Sequence, residues 1–256
     1  MNSQRQSMIK EKIKECLREK FRVHEPETNY MPFHYRLLGK DRMALYSFIH
    51  SINTKFGISF YEPVAIALAK DRFKIVDTQV KPGNKISFDA HLQIQSIMNG
   101  LSTAEREPNK SLEIQEIKEV CTSGKLEHIK LTNVDVWLET NEDELFLIDF
   151  KTVKPNKSDF QKFKRTLLEW SAAELARNPN GVVNAIIGIP YNPYEPEPYQ
   201  RWTLKGMFDL EHDILIAEEL WDFIGGEGTY ANLLDAFEQA GIELRDEIDE
   251  YFRQFS

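Results

Sequence analysis

The sequence has little of what staples, spans or clamps a protein. Its two cysteines, Cys16 and Cys121, form neither a disulfide framework nor a metal-ligand spacing, and are expected as buried or incidental thiols. Six histidines are scattered, with no H-x-x-x-H pair and no cysteine partner, which argues against a structural zinc site. No apolar run approaches the roughly 20 residues that a membrane-spanning helix needs, and the opening MNSQRQSMIKEKIKE lacks the apolar core of a signal peptide. Gly39-Lys40 has no preceding strand or upstream glycines and is not a phosphate-binding loop. Gly225-Gly-Glu-Gly228 follows a helical pattern and reads as a helix terminus. There is no internal repeat, no low-complexity linker and no Ser-His or Cys-His pattern. These absences point to a soluble, cytoplasmic protein whose chemistry rests on carboxylates and amines.

What is present is ordinary in amount and uneven in placement. The 256 residues are 41% hydrophobic and 29% charged, enough for one large domain with a sizeable core. The net charge is −9, but residues 207–256 hold fourteen Asp and Glu against two Arg, so the remaining chain is net +3. Lys151, Lys154, Lys157, Lys162, Lys164 and Arg165 crowd one segment against a single Asp159. Such a segment suits a phosphate backbone, and equally a solvated helix face.

The most informative stretch is Asn133-Val-Asp-Val-Trp-Leu, a short acidic turn, then Leu145-Phe-Leu-Ile-Asp-Phe-Lys-Thr152. Two apolar runs around a polar turn predict a β-hairpin. If it is symmetric about Glu142, Asp135 stands across from Asp149, where opposed Cβ atoms lie about 4.5–5.5 Å apart. Two like charges there repel and are costly to bury, and a divalent cation between them removes both penalties. Lys151 shares the face of Asp149 because side chains alternate along a strand. Asp and Lys are common at strand ends, and D-x-K also arises by chance. Yet both faces of 145–150 are apolar, as in a central buried strand, so charges at its end need a reason.

Around this hairpin the pattern predicts helices over 4–22, over most of Phe33–Phe56 with Gly57 as stop, and over 61–70. Further helices are expected over Ser87–Leu101, Ser158–Ala176 with Ser158 as cap, 213–224, and once or twice within 229–255. Strands are expected within 72–80, at the hairpin and over Val182–Pro190, with Ile129–Leu131 joining the strand of Asp135. Leu112–Val120 fits helix or strand. Residues 190–201 read as a stiff aromatic loop. The expected fold is α/β: one domain with a nuclease-like core of about 58–205 and helical extensions over 1–57 and 206–256.

The arrangement resembles the PD-(D/E)XK nuclease superfamily, whose catalytic Asp and D/E-x-K lie on adjacent strands of a mixed sheet flanked by helices. Asp135 matches the first acid, Asp149 the second and Lys151 the lysine; Val134 stands where the superfamily's name has proline. Glu62, in FYEPVAIALA, is the candidate for an upstream helical acid, and equally an ordinary carboxylate at a helix N-terminus. More narrowly, FHYRLLGKDRMALYSFIHS, FYEPVAIALA, TNVDVWLE, LFLIDFKTVKPN and ILIAEELWDFIGG are similar to type II restriction endonucleases of the TdeIII-like group.

That resemblance implies cleavage of double-stranded DNA at a short palindromic site of the GGNCC type, by a homodimer paired with a cognate DNA methyltransferase. It implies Mg²⁺ on Asp135, Asp149 and the Phe150 carbonyl, with Mn²⁺ substituting and Ca²⁺ binding without turnover. Lys151 would act as a cation on the scissile phosphate rather than as a base. Candidates for DNA contact are Arg36, Lys40, Arg42, Lys154, Lys157, Asn192, Gln200 and Arg201. Rival readings are a structure-directed repair or junction nuclease, a non-catalytic DNA-binding protein on the same fold, and an unrelated protein whose acidic C-terminal helices bind a partner.

Overall fold

A computed structural model of the protein describes residues 3–24, 31–151, 159–200 and 204–253. The chain forms two compact units, one from Ala69–Gly225 and one from Met1–Leu68 with Gly226–Ser256. The helical unit opens with α1 (Ser3–Val23), which buries Ile9, Ile13, Cys16 and Lys20, a stripe at three- and four-residue spacing. The predicted long helix is two. Pro32 opens α2 (Pro32–Leu38), and α3 (Lys40–Phe56) follows after Gly39, whose φ of 90° only glycine adopts freely. Gly57 is not a stop. It keeps right-handed helical torsions (φ −50°), and the chain runs on through a π-helical turn, Gly57–Tyr61, into α4 (Glu62–Ala69).

The sheet unit begins with β1 (Ile75–Val80), then Pro82-Gly83-Asn84 and a short β2 (Lys85–Ser87). Ser87 caps α5 (Phe88–Thr103) by accepting the Ala90 N–H at 3.0 Å. Asn109 caps the next segment in the same way, which decides Leu112–Val120 for helix, α6 (Lys110–Val120). Residues 129–131 do not join the strand of Asp135. The strand there is β3 (Leu126–His128), paired with β2.

The hairpin is β4 (Val134–Glu139) and β5 (Glu144–Phe150), followed by α7 (Phe160–Arg177) and β6 (Val182–Ile189). Ser158, the expected cap of α7, lies outside the described residues. The predicted helix over 213–224 is a strand and a helix: β7 (Ile214–Ile216) pairs parallel with β6, and α8 (Glu218–Gly225) follows Ala217, whose φ of +49° turns the chain. The sheet order is β1-β4-β5-β6-β7, antiparallel up to β5 and parallel beyond it. This is a mixed sheet flanked by helices, the restriction-endonuclease-like arrangement. α8 covers one face of β5, with Trp221 5.9 Å from Phe150 and Phe223 4.8 Å from Phe146. α7 packs on β6, β2, α5 and α6.

The chain returns to the helical unit as α9 (Thr229–Glu243) and α10 (Arg245–Arg253), with α9 packed on α1 and α10 on α3. Two of the C-terminal acids meet the basic face of α1: Glu243 pairs with Lys10 and with Lys14, and Glu247 with Arg18, at 2.5–2.7 Å. Phe21, Phe48, Tyr251 and Phe252 stack where α1, α3 and α10 meet. Among the described residues no helix is long and apolar enough to cross a membrane, and both cysteines are buried free thiols.

One member of the basic segment is not at the surface. Lys164, on α7, is 1% exposed and lies 2.5 Å from both Glu113 of α6 and Asp213 before β7. It bridges two buried carboxylates and ties three elements together, so it is not available to a phosphate backbone. Lys164→Ala strands both acids and is expected to cost about 3–5 kcal/mol. Urea unfolding checks this, and an unchanged midpoint would contradict it.

Candidate active site

The site is built by the register of one hairpin. Thr140 and Asp143 close the turn: Thr140 N–H donates to the Glu144 carbonyl at 2.9 Å, and Asp143 takes a left-handed φ of 62°. The pairs Glu139–Leu145, Leu138–Phe146, Trp137–Leu147 and Val136–Ile148 follow, and the next step brings Asp135 to Asp149. This is the register that symmetry about Glu142 requires. Beyond it the ladder changes partner. The Phe150 N–H donates to the Asp135 Oδ2 at 2.8 Å, while the Lys151 N–H donates to the Gly188 carbonyl at 3.0 Å. Gly188 is needed bare, because a Cβ there would lie 3.0–3.2 Å from Ile148 and Leu220.

Lys151 Nζ lies 2.6 Å from Asp149 Oδ1 and 4.5 Å from the centre of the Phe163 ring on α7. On the other side, Gln79 Nε2 of β1 donates to Asp135 Oδ1 at 3.2 Å, and Asn133 Nδ2 donates to Gln79 Oε1 at 3.3 Å. Sequence reasoning missed Gln79, Asn133 and Phe163. Asn133 lies two residues before the first acid, and Phe163 is an apolar position of α7 whose meeting with Lys151 depends on how the helix packs. Gln79 carries no local signal.

The remaining predicted residues divide. Asp135, Asp149, Phe150 and Lys151 come together in the sheet unit. Glu62 belongs to the helical unit, where it is buried at the first turn of α4, a position that favours a negative charge. Arg36, Lys40 and Arg42 are exposed on α2 and α3, with an Arg42 Nη1 donating to the Leu38 carbonyl at 2.8 Å. Asn192 is spent on its own loop: its amide donates to the Glu197 carbonyl at 2.7 Å, and its oxygen accepts the Tyr194 N–H at 3.0 Å. Gln200 is exposed. Lys154, Lys157 and Arg201 lie outside the described residues.

Burial dominates the electrostatics. Asp149 is 5% exposed, and its carboxyl is pushed up to about 6; Lys151 pulls it down, and Asp135 adds to the rise. Asp135 is also raised by burial, against the Phe150 N–H, Lys151 and Gln79, which favour its ionised form. Two carboxylates and a nearby backbone carbonyl are hard oxygen donors of the kind that hold Mg²⁺ or Mn²⁺. Among the described residues no group of three or more His, Cys, Asp or Glu converges.

Between about pH 4 and 6 folded Asp149 keeps a proton that the unfolded chain releases. Stability therefore falls as pH rises through this window and stays lower above it. Asp149→Asn removes that deficit. It is expected to stabilise the metal-free protein at pH 7.5 by the order of 2 kcal/mol, and to gain nothing at pH 4 or below. Denaturant titrations at the two pH values check this; a gain of the same size at both would contradict it.

Comparison with known proteins identifies the family. The family model described as type II restriction endonuclease, HinfI, matches residues 1–241. The type II restriction enzyme MjaII of Methanocaldococcus jannaschii is 30% identical over 207 residues, 75% of this chain and 54% of that enzyme. The chain thus spans about half the length of MjaII. HgiCII and HgiEI, type II restriction enzymes of Herpetosiphon aurantiacus, are 25% and 24% identical over 232 and 229 residues, covering 85% and 87% of this chain and 80% and 81% of theirs. The sequence segments suggested the TdeIII-like group; the family whose model matches is that of HinfI. The chain belongs to the HinfI family of type II restriction endonucleases.

Proposed function

We propose that the protein is a Mg²⁺-dependent type II restriction endonuclease of the PD-(D/E)XK kind, hydrolysing phosphodiester bonds in double-stranded DNA at a short palindromic site, of the GGNCC type the resemblance implies. The observation that carries the proposal is the opposition of Asp135 and Asp149 with Lys151 beside them. Nothing in the packing calls for two carboxylates face to face at the end of a buried strand, and a divalent cation removes the cost of having them there.

Asp135, Asp149 and the Phe150 carbonyl would hold the cation. When bound, it would supply Lewis-acid activation of water and charge neutralisation at the phosphate. Lys151, paired with Asp149 and resting over the Phe163 ring, would be placed to face the scissile phosphate, where its charge would stabilise the negative charge that builds during attack. The ring would hold the ammonium without competing for the phosphate. Arg36, Lys40, Arg42 and Gln200 are exposed and suited to phosphate or base contacts. A palindromic site has two equivalent scissile bonds, so two copies related by a two-fold axis would cut both strands. In a cell such an enzyme works in the cytoplasm beside a methyltransferase that protects the same site.

Purified protein incubated with mapped plasmids in Mg²⁺ is expected to give discrete, reproducible fragments. The fragments vanish with chelator and with Asp135→Ala, Asp149→Ala or Lys151→Ala, each lowering the rate by at least about 10²–10³-fold, while DNA binding by gel shift persists. Nicking or degradation without discrete bands would move the reading to a structure-directed nuclease. No cleavage on unmethylated DNA with Mg²⁺ or Mn²⁺ would sink it.

A further inference from the structure

Gln79 lies in a backbone conformation that its side chain makes expensive. Its φ is +55°, the left-handed region, one residue before the end of β1, with Thr78 paired to Val136 and Val80 to Val134 on either side. A long-chain residue there costs on the order of 1–3 kcal/mol unless its surroundings hold it, and such outliers gather at functional sites. Glycine would relieve the strain, and the position is exposed, so no core contact demands glutamine. What glutamine provides is an amide that reaches the neighbouring strand. Asp135 accepts at both ends, Oδ1 from Gln79 and Oδ2 from the Phe150 N–H. The amide cannot flip without loss: Asn133 donates to its oxygen, which leaves its nitrogen facing the carboxylate.

We propose that Gln79 is a positioning residue of the active site, a strained edge-strand amide that fixes the Asp135 carboxylate in place before cation and DNA arrive. The proposal rests on the nuclease reading above. It places the preorganisation of Asp135 on two neighbouring strands: β5 supplies a backbone donor, and β1 supplies a side-chain amide that contacts both Asp135 and Asn133. Outer partners of a ligating carboxylate typically matter by 10–100-fold in metal affinity or activity. β1 is the edge of the sheet, with a ladder partner on one side only, so it can take a left-handed residue without breaking a second pairing.

The test compares full-length wild type, Gln79→Gly, Gln79→Ala and Asp149→Asn. Three readouts are used: melting of the metal-free protein, Mn²⁺ binding to the DNA-free protein by electron paramagnetic resonance, and steady-state cleavage of a duplex carrying the site. Gln79→Gly is expected to melt at or above wild type and above Gln79→Ala, because it sheds the strain. It should nonetheless bind Mn²⁺ about 10-fold more weakly and lose a similar factor in kcat, with KM for the duplex nearly unchanged. A Gln79→Gly variant that binds Mn²⁺ and turns over like wild type would overturn the proposal. So would one that melts well below wild type, since Gln79 would then be a structural residue. If wild type binds no Mn²⁺, or Asp149→Asn cuts normally, the nuclease reading itself falls, and the inference with it.

Discussion

The repulsion between Asp135 and Asp149 is the constraint around which the sheet unit is organised. Two carboxylates at the buried end of a central strand are unfavourable in any fold, and the fold contains an answer to each part of the cost. The four-residue turn at 140–143 sets the register that opposes them, and Val134, Val136 and Leu138 of β4 are fully buried while the residues between them are not, so a slip of one residue would turn that buried face outward. The Phe150 N–H and the Gln79 amide each take one oxygen of Asp135, and Lys151 takes one of Asp149. What remains uncompensated shows as the upward shift of both carboxyls. A protein selected for stability alone would have an amide at one of these positions. Retaining both acids is a stability–function trade of the kind active sites show.

Charge elsewhere in the chain is sorted by role in a way the net value of −9 conceals. The acidic C-terminal stretch is matched in part by Lys10, Lys14 and Arg18 of α1 within the helical unit. These pairs are solvent-exposed and each contributes little to stability. Their consequence is local neutralisation, so fewer of these acids stand unopposed against a polyanion. The buried Lys164 triad is different in kind. Removed from water, its charges hold α6, α7 and the approach to β7 in one arrangement. Since α7 also carries Phe163, the triad fixes the helix on which the Lys151 ammonium rests.

What could be read in the sequence was whatever depends on neighbours along the chain. The hairpin, its register, the alternation that brings Lys151 beside Asp149 and the helix after it are separated by a few residues each, and the structure reproduces them. The errors arose where a pattern of one period hid a change of backbone. The break at Gly39 interrupts a helical run whose apolar spacing continues across it. β7 sits inside ILIAEELW, where three apolar residues in a row suit either a strand or a helix start, and only the parallel pairing with β6 decides. Lys164 was grouped with surface lysines because its two partners lie some fifty residues away on either side. Gln79 is the extreme case: its importance comes from a contact 56 residues distant and from a torsion angle, neither of which has a compositional trace.

The two partners of Lys151 bear on how such a site can be both stable when empty and ready when loaded. Without a cation, Asp149 needs Lys151, which pulls its carboxyl down against the rise that burial imposes. With a cation between the aspartates that need ends, and the lysine would be left as an unpaired charge at the edge of a buried site, where it is costly. The Phe163 ring removes that cost in part, because a cation over an aromatic face is stabilised without being neutralised. A carboxylate in place of Phe163 would hold the lysine just as well, but it would cancel the positive charge that a phosphate needs to meet. An aromatic partner at 4.5 Å is therefore the solution that serves both states, and it explains why the helix following the D-x-K segment presents phenylalanine toward the lysine rather than an acid.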